Sequence, residues 1–259
     1  QGRLKKIDAS GGAPIAICNA VPTRGGTWNA AGMIVFAGSA TPLLVVPASG
    51  GTAAVLTKFD SLRKENSHRW PSFLPDGRHL LYMARTATGG SQSEGGLICI
   101  ASLDGKVNKI LVPASSNAVF ASGYILYVRG TTLVAHVFDE GSMELKGEPT
   151  AIAEGVTYDP STNRGMFTVS SNQILVYQTG EAQSGSRLVM HDRAGKPTGV
   201  ATKLSEYSYP HLALDDNRVS TNVWDYQSHN ADIWIADLAQ NRTTRFTFDP
   251  ATETFSAWS

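Results

Sequence analysis

Short apolar runs alternate with tight turns along the whole chain, and one series of turns recurs at a nearly constant interval. In WNAAGMIVFAG, FLPDGRHLLYMA, VFASGYILYVRG, TVSSNQILVYQTG and LALDDNRVSTNVW, an apolar run leads into the turn and another follows it. The turn centres are Gly32, Gly77, Gly123, Asn172 and Asn217, so that neighbouring centres lie 45 to 49 residues apart. Glycine and asparagine accept the positive φ that such turns require, so we expect that conformation at each centre.

A second series of strand pairs interleaves with the first. It comprises LKKIDASGGAPIAIC, LLVVPASGGTAAVLT, LICIASLDGKVNKIL, LVAHVFDEGSMELKG, RLVMHDRAGKPTGVA and DIWIADLAQNRTTRF, each an apolar strand, a turn and a more polar strand. The two series together give four short strands in about 46 residues, which is typical of β-propeller blades. A β-sandwich does not space its turns so evenly, a parallel β-helix has much shorter repeats, and only SLRKEN has a helical pattern. We therefore predict an all-β propeller of four-stranded antiparallel blades with negligible α-helix.

The repeat organises the chain as a single β-propeller domain, residues 1–259, with about five full blades and a partial blade at each end. The predicted blades are 1–22 (partial), 23–66, 67–116, 117–162, 163–206, 207–250 and 251–259 (partial). Trp258 occupies the place before a turn that Trp28 and Phe73 occupy, so the chain breaks off within a strand–turn–strand unit. The ring has six blades if the two partial blades pair; otherwise flanking sequence supplies more. Because the first residue is Gln1, we expect a slice of a longer protein.

Composition and charge exclude several classes of protein. Only 17% of residues are charged, and 22 Lys+Arg balance 22 Asp+Glu without a basic stripe, which argues against nucleic acid as a partner. No apolar run approaches the roughly 20 residues that span a membrane. Cys18 and Cys99 are isolated on apolar strands, so we expect buried free thiols.

The strand–PDG–strand repeat resembles the TolB-like, or WD40-like, β-propeller repeat of bacteria. More narrowly, the chain resembles the propeller found C-terminal to many bacterial serine/threonine protein kinases, especially those of acidobacteria. The likeness lies in RGGTWNAAGMIVFA, SHRWPSFLPDGRHLLYMA, LKGEPTAIAEGV, GMFTVSSNQILVYQTG, NADIWIADLAQNRTTRFTFDPATETFSAWS, and their order. It implies a non-catalytic sensor or scaffold domain tethered outside the membrane, thus periplasmic, with a kinase domain upstream. The turns FASGY and VSSNQ depart from the PDG form, although the spacing survives.

No motif for catalysis, a metal or a cofactor stands out. His191, Asp192 and Arg193 have the wrong order for a kinase catalytic loop, and neither a DFG triplet nor a glycine-rich phosphate loop occurs. There is no G-x-S-x-G nucleophile elbow, and the six histidines fall on different strands or turns without zinc-ligand spacing. Asp232, before the apolar triplet of NADIWIADL, is interpreted as a structural hydrogen bond to a neighbouring turn. We expect no cofactor and no metal.

Cations and aromatics precede several innermost strands, which line the channel of a propeller. The segments are RGGTW (24–28), SHRWP (67–71), NRGMF (163–167), YSYPH (207–211) and TETFS (252–256). The candidate ligand-binding residues are Arg24, His68, Arg69, Arg164, Tyr209 and His211. Converging at a channel mouth, they would suit an anionic or sugar-like ligand, or a peptide. The alternative interpretation is that they cover loops and satisfy backbone carbonyls. Arg69 is expected outside the core, whereas Trp70 is expected to pack between blades.

Two functional hypotheses follow. The first is a binding or sensor propeller whose mouth recognises a small ligand, peptide or protein. The second is the gating propeller of a prolyl-oligopeptidase-like hydrolase, which would require an α/β-hydrolase domain elsewhere in the protein. A propeller enzyme such as a lactonase or glycosidase would need paired acids at the channel, and the segments above supply only Glu253.

Overall fold

The structure is a computed structural model of the chain. It describes residues 2–20, 23–86, 95–114, 116–170, 174–179, 187–192, 195–200, 202, 205, 207–225 and 230–258. The chain divides into two compact units, the first ending at Phe120 and the second running from Ala121 to Trp258. The described residues contain strands and turns and no helix, and SLRKEN is a turn that leads into a strand. The predicted all-β class is therefore confirmed.

Twenty-four strands make up the described fold. The first ten are β1 (Arg3–Lys6), β2 (Ile15–Asn19), β3 (Thr23–Trp28), β4 (Met33–Gly38), β5 (Leu43–Pro47), β6 (Ala54–Val55), β7 (Glu65–Phe73), β8 (His79–Thr86), β9 (Gly95–Ser102) and β10 (Asn108–Pro113). The next six are β11 (Ala118–Ala121), β12 (Tyr124–Arg129), β13 (Thr132–Asp139), β14 (Glu144–Ala153), β15 (Tyr158–Asp159) and β16 (Arg164–Gly165). The last eight are β17 (Phe167–Val169), β18 (Leu175–Tyr177), β19 (Val189–His191), β20 (Pro197–Val200), β21 (Tyr207–Leu212), β22 (Arg218–Asp225), β23 (Asn230–Asp237) and β24 (Arg242–Arg245).

Five sheets have four strands each and are the blades of a five-bladed β-propeller. In each blade consecutive strands are neighbours: β3–β6 form blade 1, β7–β10 blade 2, β11–β14 blade 3, β17–β20 blade 4 and β21–β24 blade 5. The pairs β1–β2 and β15–β16 form separate two-stranded sheets. Residues 251–258 form no strand; Glu253 instead donates its N–H to the carbonyl of Ala231 in blade 5 (2.8 Å). No helix among the described residues is long and apolar enough to cross a membrane.

The second strand of a blade supplies much of its core. In β4 and β8 the central residues are almost wholly buried, and Val35 and Leu80 belong to one cluster shared by blades 1 and 2. Cys99 lies in the same cluster, as predicted for a buried free thiol, whereas Cys18 is only partly buried. A strand whose two faces are both covered has apolar residues at successive positions instead of alternating ones, which explains the apolar runs in the sequence.

The turn centres follow the predicted spacing with one correction. Gly32, Gly77 and Gly123 have φ of 78°, 63° and 82°, as their turns require. In the last turn Asp216, not Asn217, has the positive φ (57°), because Asp216 N–H closes the turn on the carbonyl of Ala213 (3.1 Å). Aspartate is among the few residues that tolerate this conformation. Asn172 lies outside the described residues.

Candidate functional site

Each of the five candidate segments contains one residue with positive φ, and successive residues of this set lie 45, 93, 46 and 46 positions apart. These residues are Gly25 (90°), Trp70 (54°), Asn163 (58°), Tyr209 (53°) and Phe255 (59°). At three of them the strand register shifts, giving a β-bulge in β3, β7 and β21. Bulges re-aim side chains, and non-glycine residues with positive φ concentrate at functional sites. The repeat therefore holds a strained position in all five candidate segments.

In the first unit the bulges of blades 1 and 2 meet. A Cβ atom added to Gly25 would lie 2.7 Å from Cε3 and 3.2 Å from Cα of Trp70. Trp70 is 2% exposed, so its indole is packed against the backbone of β3, as predicted for a residue between blades. Only glycine fits at position 25, because a side chain there would overlap the indole and also require φ near 90°.

His68 is a buried connector in this unit. Its Nδ1 shares a hydrogen bond with Thr57 Oγ1 (2.7 Å), and its Nε2 lies 3.2 Å from Glu65 Oε2. Glu65 also accepts from Arg63 Nε (3.0 Å) and from the backbone N–H of Asp60 (2.7 Å). Burial lowers the pKa of His68, and Glu65 opposes that shift through its hydrogen bond and charge. His68 has no exposed surface; its Nδ1 connects β7 to the segment that follows β6, and its Nε2 contacts Glu65 within β7.

Arg24, Arg69 and Arg85 lie on β3, β7 and β8 of this unit. Arg69 is 4% exposed and donates from Nε to Ser67 Oγ (3.0 Å). Arg85 on β8 lies directly opposite Ser67 and therefore shares a sheet face with Arg69. Burial lowers the pKa of Arg85, and the charge of Arg24 lowers it further. Arg24 directly precedes Gly25, and Arg69 directly precedes Trp70, so the Gly25–Trp70 contact draws the two arginine backbones together.

This arrangement corrects the expectation that Arg69 lies outside the core. Arg69 is within β7 rather than in a loop before it, and it is as buried as the apolar residues around it. Sequence reasoning also missed Arg85, because it follows the apolar run LLYMA at the far end of β8. The strand register that places Arg85 opposite Ser67 was the signal that could have found it.

In the second unit the structure brings together the other three candidates. Arg164 is 5% exposed, and its Nη2 lies 3.3 Å from Nε2 of His211, which keeps part of its surface accessible. Burial lowers the pKa of Arg164 to about 10, while interaction with Tyr209 raises it. Burial, followed by the charge of Arg164, lowers the pKa of His211 to about 3. His211 is therefore neutral at pH 7 and accepts a hydrogen bond from the guanidinium.

The C-terminal segment covers this second cluster. The rings of Tyr209 and Phe255 lie 4.3 Å apart, and Trp258 Nε1 donates to the carbonyl of His211 (2.8 Å). The guanidinium of Arg218 lies 5.1 Å from the Trp258 ring centroid, within the range of a cation–π contact. Aromatic side chains thus flank the buried cation and neutral imidazole.

The remaining sequence candidates have structural roles or lie outside the description. His191 is buried and its Nδ1 donates to the carbonyl of Gly195 (2.9 Å). Asp232 is bound by Arg245 of the next strand, with Nη2 2.9 Å from each carboxylate oxygen, and not by the turn that we predicted. Arg193 and His229 are outside the described residues. Among the residues that are described, no group of three or more His, Cys, Asp or Glu is placed to hold a metal ion.

Comparison with known proteins gives the fold and no family. No protein-family profile and no curated protein matches the chain. Among solved structures, it is similar to TolB from Acinetobacter baumannii, with a TM-score of 0.67 and 16% identity over 93% of this chain and 58% of the TolB chain. A puromycin-hydrolyzing peptidase from Mycobacterium tuberculosis gives 0.63 and 11%, over 93% of this chain and 49% of the peptidase. A nidogen/laminin complex structure gives 0.59 and 13%, over 89% and 82%. At such identities, the likeness establishes a β-propeller and nothing about its ligands.

Proposed function

We propose that the chain is a non-catalytic binding propeller that takes an anionic ligand at Arg24, Arg69 and Arg85. The observation that carries this proposal is that Arg69 and Arg85 share one sheet face of blade 2, while the charge of Arg24 in blade 1 acts on Arg85. Like charges held together in a partly desolvated place raise the free energy of the folded protein. A bound anion lowers the free energy of the folded protein again. Several hydrogen-bond donors that share one anion bind it more strongly than an isolated, exposed ion pair holds together.

Guanidinium chemistry sets the class of ligand. Its planar fork binds carboxylate or phosphate through paired hydrogen bonds, so the ligand is a carboxylate- or phosphate-bearing small molecule or an acidic peptide. Arg164, hydrogen-bonded to the neutral His211, is a buried cation in the other unit, and Tyr209 interacts with it. His68 acts here as a positioning residue, because it is buried and both ring nitrogens face protein groups.

Among the described residues, one arrangement resembles a catalytic triad. Its burial supports binding rather than catalysis. Thr57, His68 and Glu65 follow the order of nucleophile, base and orienting acid. However, His68 has no exposed surface, and the Thr57 hydroxyl already accepts the N–H of Leu43 (2.9 Å). A substrate therefore has no path to this hydroxyl. The similarity to a peptidase is one of fold, so it does not favour the gating-propeller alternative.

The wider context that we propose is a sensor domain of a membrane-anchored bacterial serine/threonine kinase, exposed outside the cytoplasm. Its support is the sequence resemblance of the repeat units. The sequence flanking this segment in its gene tests this context: an upstream kinase domain and one apolar span are expected. A downstream hydrolase domain with a nucleophile elbow would replace it with the gating role.

The anion site is tested by thermal melts at constant ionic strength. Sodium chloride is exchanged for phosphate, citrate or an acidic peptide, and a bound anion should raise the melting temperature according to its concentration and affinity. Arg24→Gln and Arg85→Gln should abolish the increase. Arg78→Gln, which changes an exposed turn residue on the same unit, is the matched control and should retain it.

The unliganded variants give a second readout. Without anion, Arg24→Gln removes the charge that acts on Arg85, so its melting temperature is the baseline from which the anion shift of this variant is measured. Equal anion shifts in the wild type and Arg24→Gln, or no shift with any anion tested, would overturn the assignment of these arginines.

A further inference from the structure

Blade 5 has a polar row where other blades are apolar. Ser220, Thr221 and Asn222 on β22 are 3%, 0% and 1% exposed. By their pairing with the innermost strand, they correspond to the buried Val35, Phe36 and Ala37 of blade 1. The core of a blade does not need these polar atoms, and buried polar atoms are normally hydrogen-bonded, so their partners show what the row binds.

The C-terminal segment is hydrogen-bonded to two residues of this row. Ser256 Oγ donates to Ser220 Oγ (2.8 Å), and Asn222 Nδ2 donates to the carbonyl of Glu253 (2.8 Å). Thr221 Oγ1 donates to the carbonyl of Ser208 (2.9 Å) within the blade. These bonds fix the orientation of the Asn222 amide, because its nitrogen must face Glu253.

Two acceptors are left over at the same contact. Asn222 Oδ1 and Glu253 Oε2 are both buried, and neither has a hydrogen-bond partner among the residues that the structure describes. They belong to the two residues that this hydrogen bond joins. One is a carboxylate oxygen, so their common need is for a group that donates hydrogen bonds and carries positive charge.

We propose that this junction binds a primary ammonium group, such as that of an amino acid, a lysine side chain or a peptide N-terminus. An ammonium has three N–H donors and can bond to Asn222 Oδ1 and Glu253 Oε2 together. Phe255 is two residues further along and its ring is in tilted contact with that of Tyr209, so aromatic faces that also favour cations lie on this segment. Glu253 is only partly buried as a residue, and Ala251 and Thr252 are exposed, so a ligand reaches the site along this segment.

The test compares two cations on the whole 259-residue chain. Methylammonium chloride should bind, as measured by calorimetry or by an increase in melting temperature, whereas tetramethylammonium chloride, which has no N–H donor, should not. Glu253→Gln keeps the size of the side chain and removes its charge, and it should weaken methylammonium binding at least tenfold. Glu140→Gln, which neutralises an exposed carboxylate elsewhere in the second unit, should leave binding unchanged.

The other outcomes each overturn the proposal. Equal effects of the two ammonium ions would mean that general charge or aromatic attraction acts here without hydrogen bonding. A response to potassium or calcium chloride alone would make this a metal site. No response to methylammonium, together with a Glu253→Gln variant at least as stable as the wild type, would mean that solvent water satisfies both acceptors. None of these results bears on the anion site, which lies in the other unit and is tested with anions.

Discussion

The strained tryptophan of blade 2 makes an unusual prediction about glycine. At an ordinary strand position, replacement by glycine destabilises a protein by about 0.5–1 kcal/mol more than replacement by alanine, because glycine loses more backbone freedom on folding. Trp70 has φ of 54°, in the left-handed region that costs a non-glycine residue about 1–2 kcal/mol. We therefore expect Trp70→Gly to be more stable than Trp70→Ala, by about 0.5–1 kcal/mol.

Both variants lose the buried indole, and the size of that loss sets the scale. Removing a large aromatic that is 2% exposed costs about 3–5 kcal/mol in either variant. The cavity is common to the two, so it cancels in their difference and leaves the backbone contribution. The same logic applies to Gly25→Ala, whose new methyl group meets the indole at 2.7 Å in the wild type. Its cost should be smaller in the Trp70→Gly background, although the strain of φ near 90° remains.

Urea unfolding followed by fluorescence and circular dichroism measures these differences, since the change in midpoint at constant slope gives the change in free energy. Val35 on β4 is the matched control: it is fully buried in blade 1, and it is not among the residues with positive φ. There Val35→Ala should be more stable than Val35→Gly. The reasoning is refuted if the glycine variant is less stable than the alanine variant by the same free energy at position 70 as at position 35. The left-handed conformation of Trp70 would then carry no strain.

Two further predictions concern buried titratable groups. Burial lowers the pKa of His211 to about 3, so below about pH 6.5 the unfolded chain binds a proton at this residue and the folded protein does not. The free energy of unfolding should therefore decrease as the pH falls from about 6.5 towards 3, by less than about 1.4 kcal/mol per pH unit. His211→Gln should flatten that slope in denaturant titrations, and an unchanged slope would contradict the burial of the imidazole. Burial raises the pKa of the Cys99 thiol to about 12, so a thiol reagent at pH 8 should modify Cys99 only after unfolding. Modification of Cys99 in the native protein at the rate of a small-molecule thiol would show that it is accessible.

The repeat spacing sufficed to predict the blades because each blade repeats one local pattern. An apolar strand, a tight turn and a second apolar strand are all encoded within about a dozen residues, and glycine at positions 32, 77 and 123 identifies the turns directly. The sequence does not distinguish Asp216 from Asn217 as the residue with positive φ, because aspartate and asparagine both accept that conformation. A shift of one residue in a turn is below what composition alone resolves.

The site was less predictable because its geometry depends on bulges. The five candidate segments were aligned by their distance from the turn, which assumes regular strands. In β7 and β21 an extra residue enters the strand, so that Arg69 moves into the core and His211 pairs with Ser220. Trp70 and Tyr209, which hold the left-handed position, are bulky residues that no propensity scale places there. Trp70 packs against Gly25 of the preceding blade and Tyr209 against Phe255 of the C-terminal segment, and a single sequence carries no local signal for such tertiary contacts.

The bulges also explain why charge and strain are found together in the first unit. Glycine is the only residue type at position 25 that lets the indole of Trp70 reach the backbone of β3. This contact brings the backbone of Arg24 close to blade 2, where the charge of Arg24 acts on Arg85. Arg69 is a buried cation at a place where an apolar residue would avoid the cost of desolvation, and the charge of Arg24 acts on Arg85. Strain and like charge at one place are costs that a binding site recovers when its ligand is present. The free energy of unfolding of this unit should therefore increase more steeply with the concentration of a bound anion than with ionic strength. This difference distinguishes a specific anion site from general charge screening.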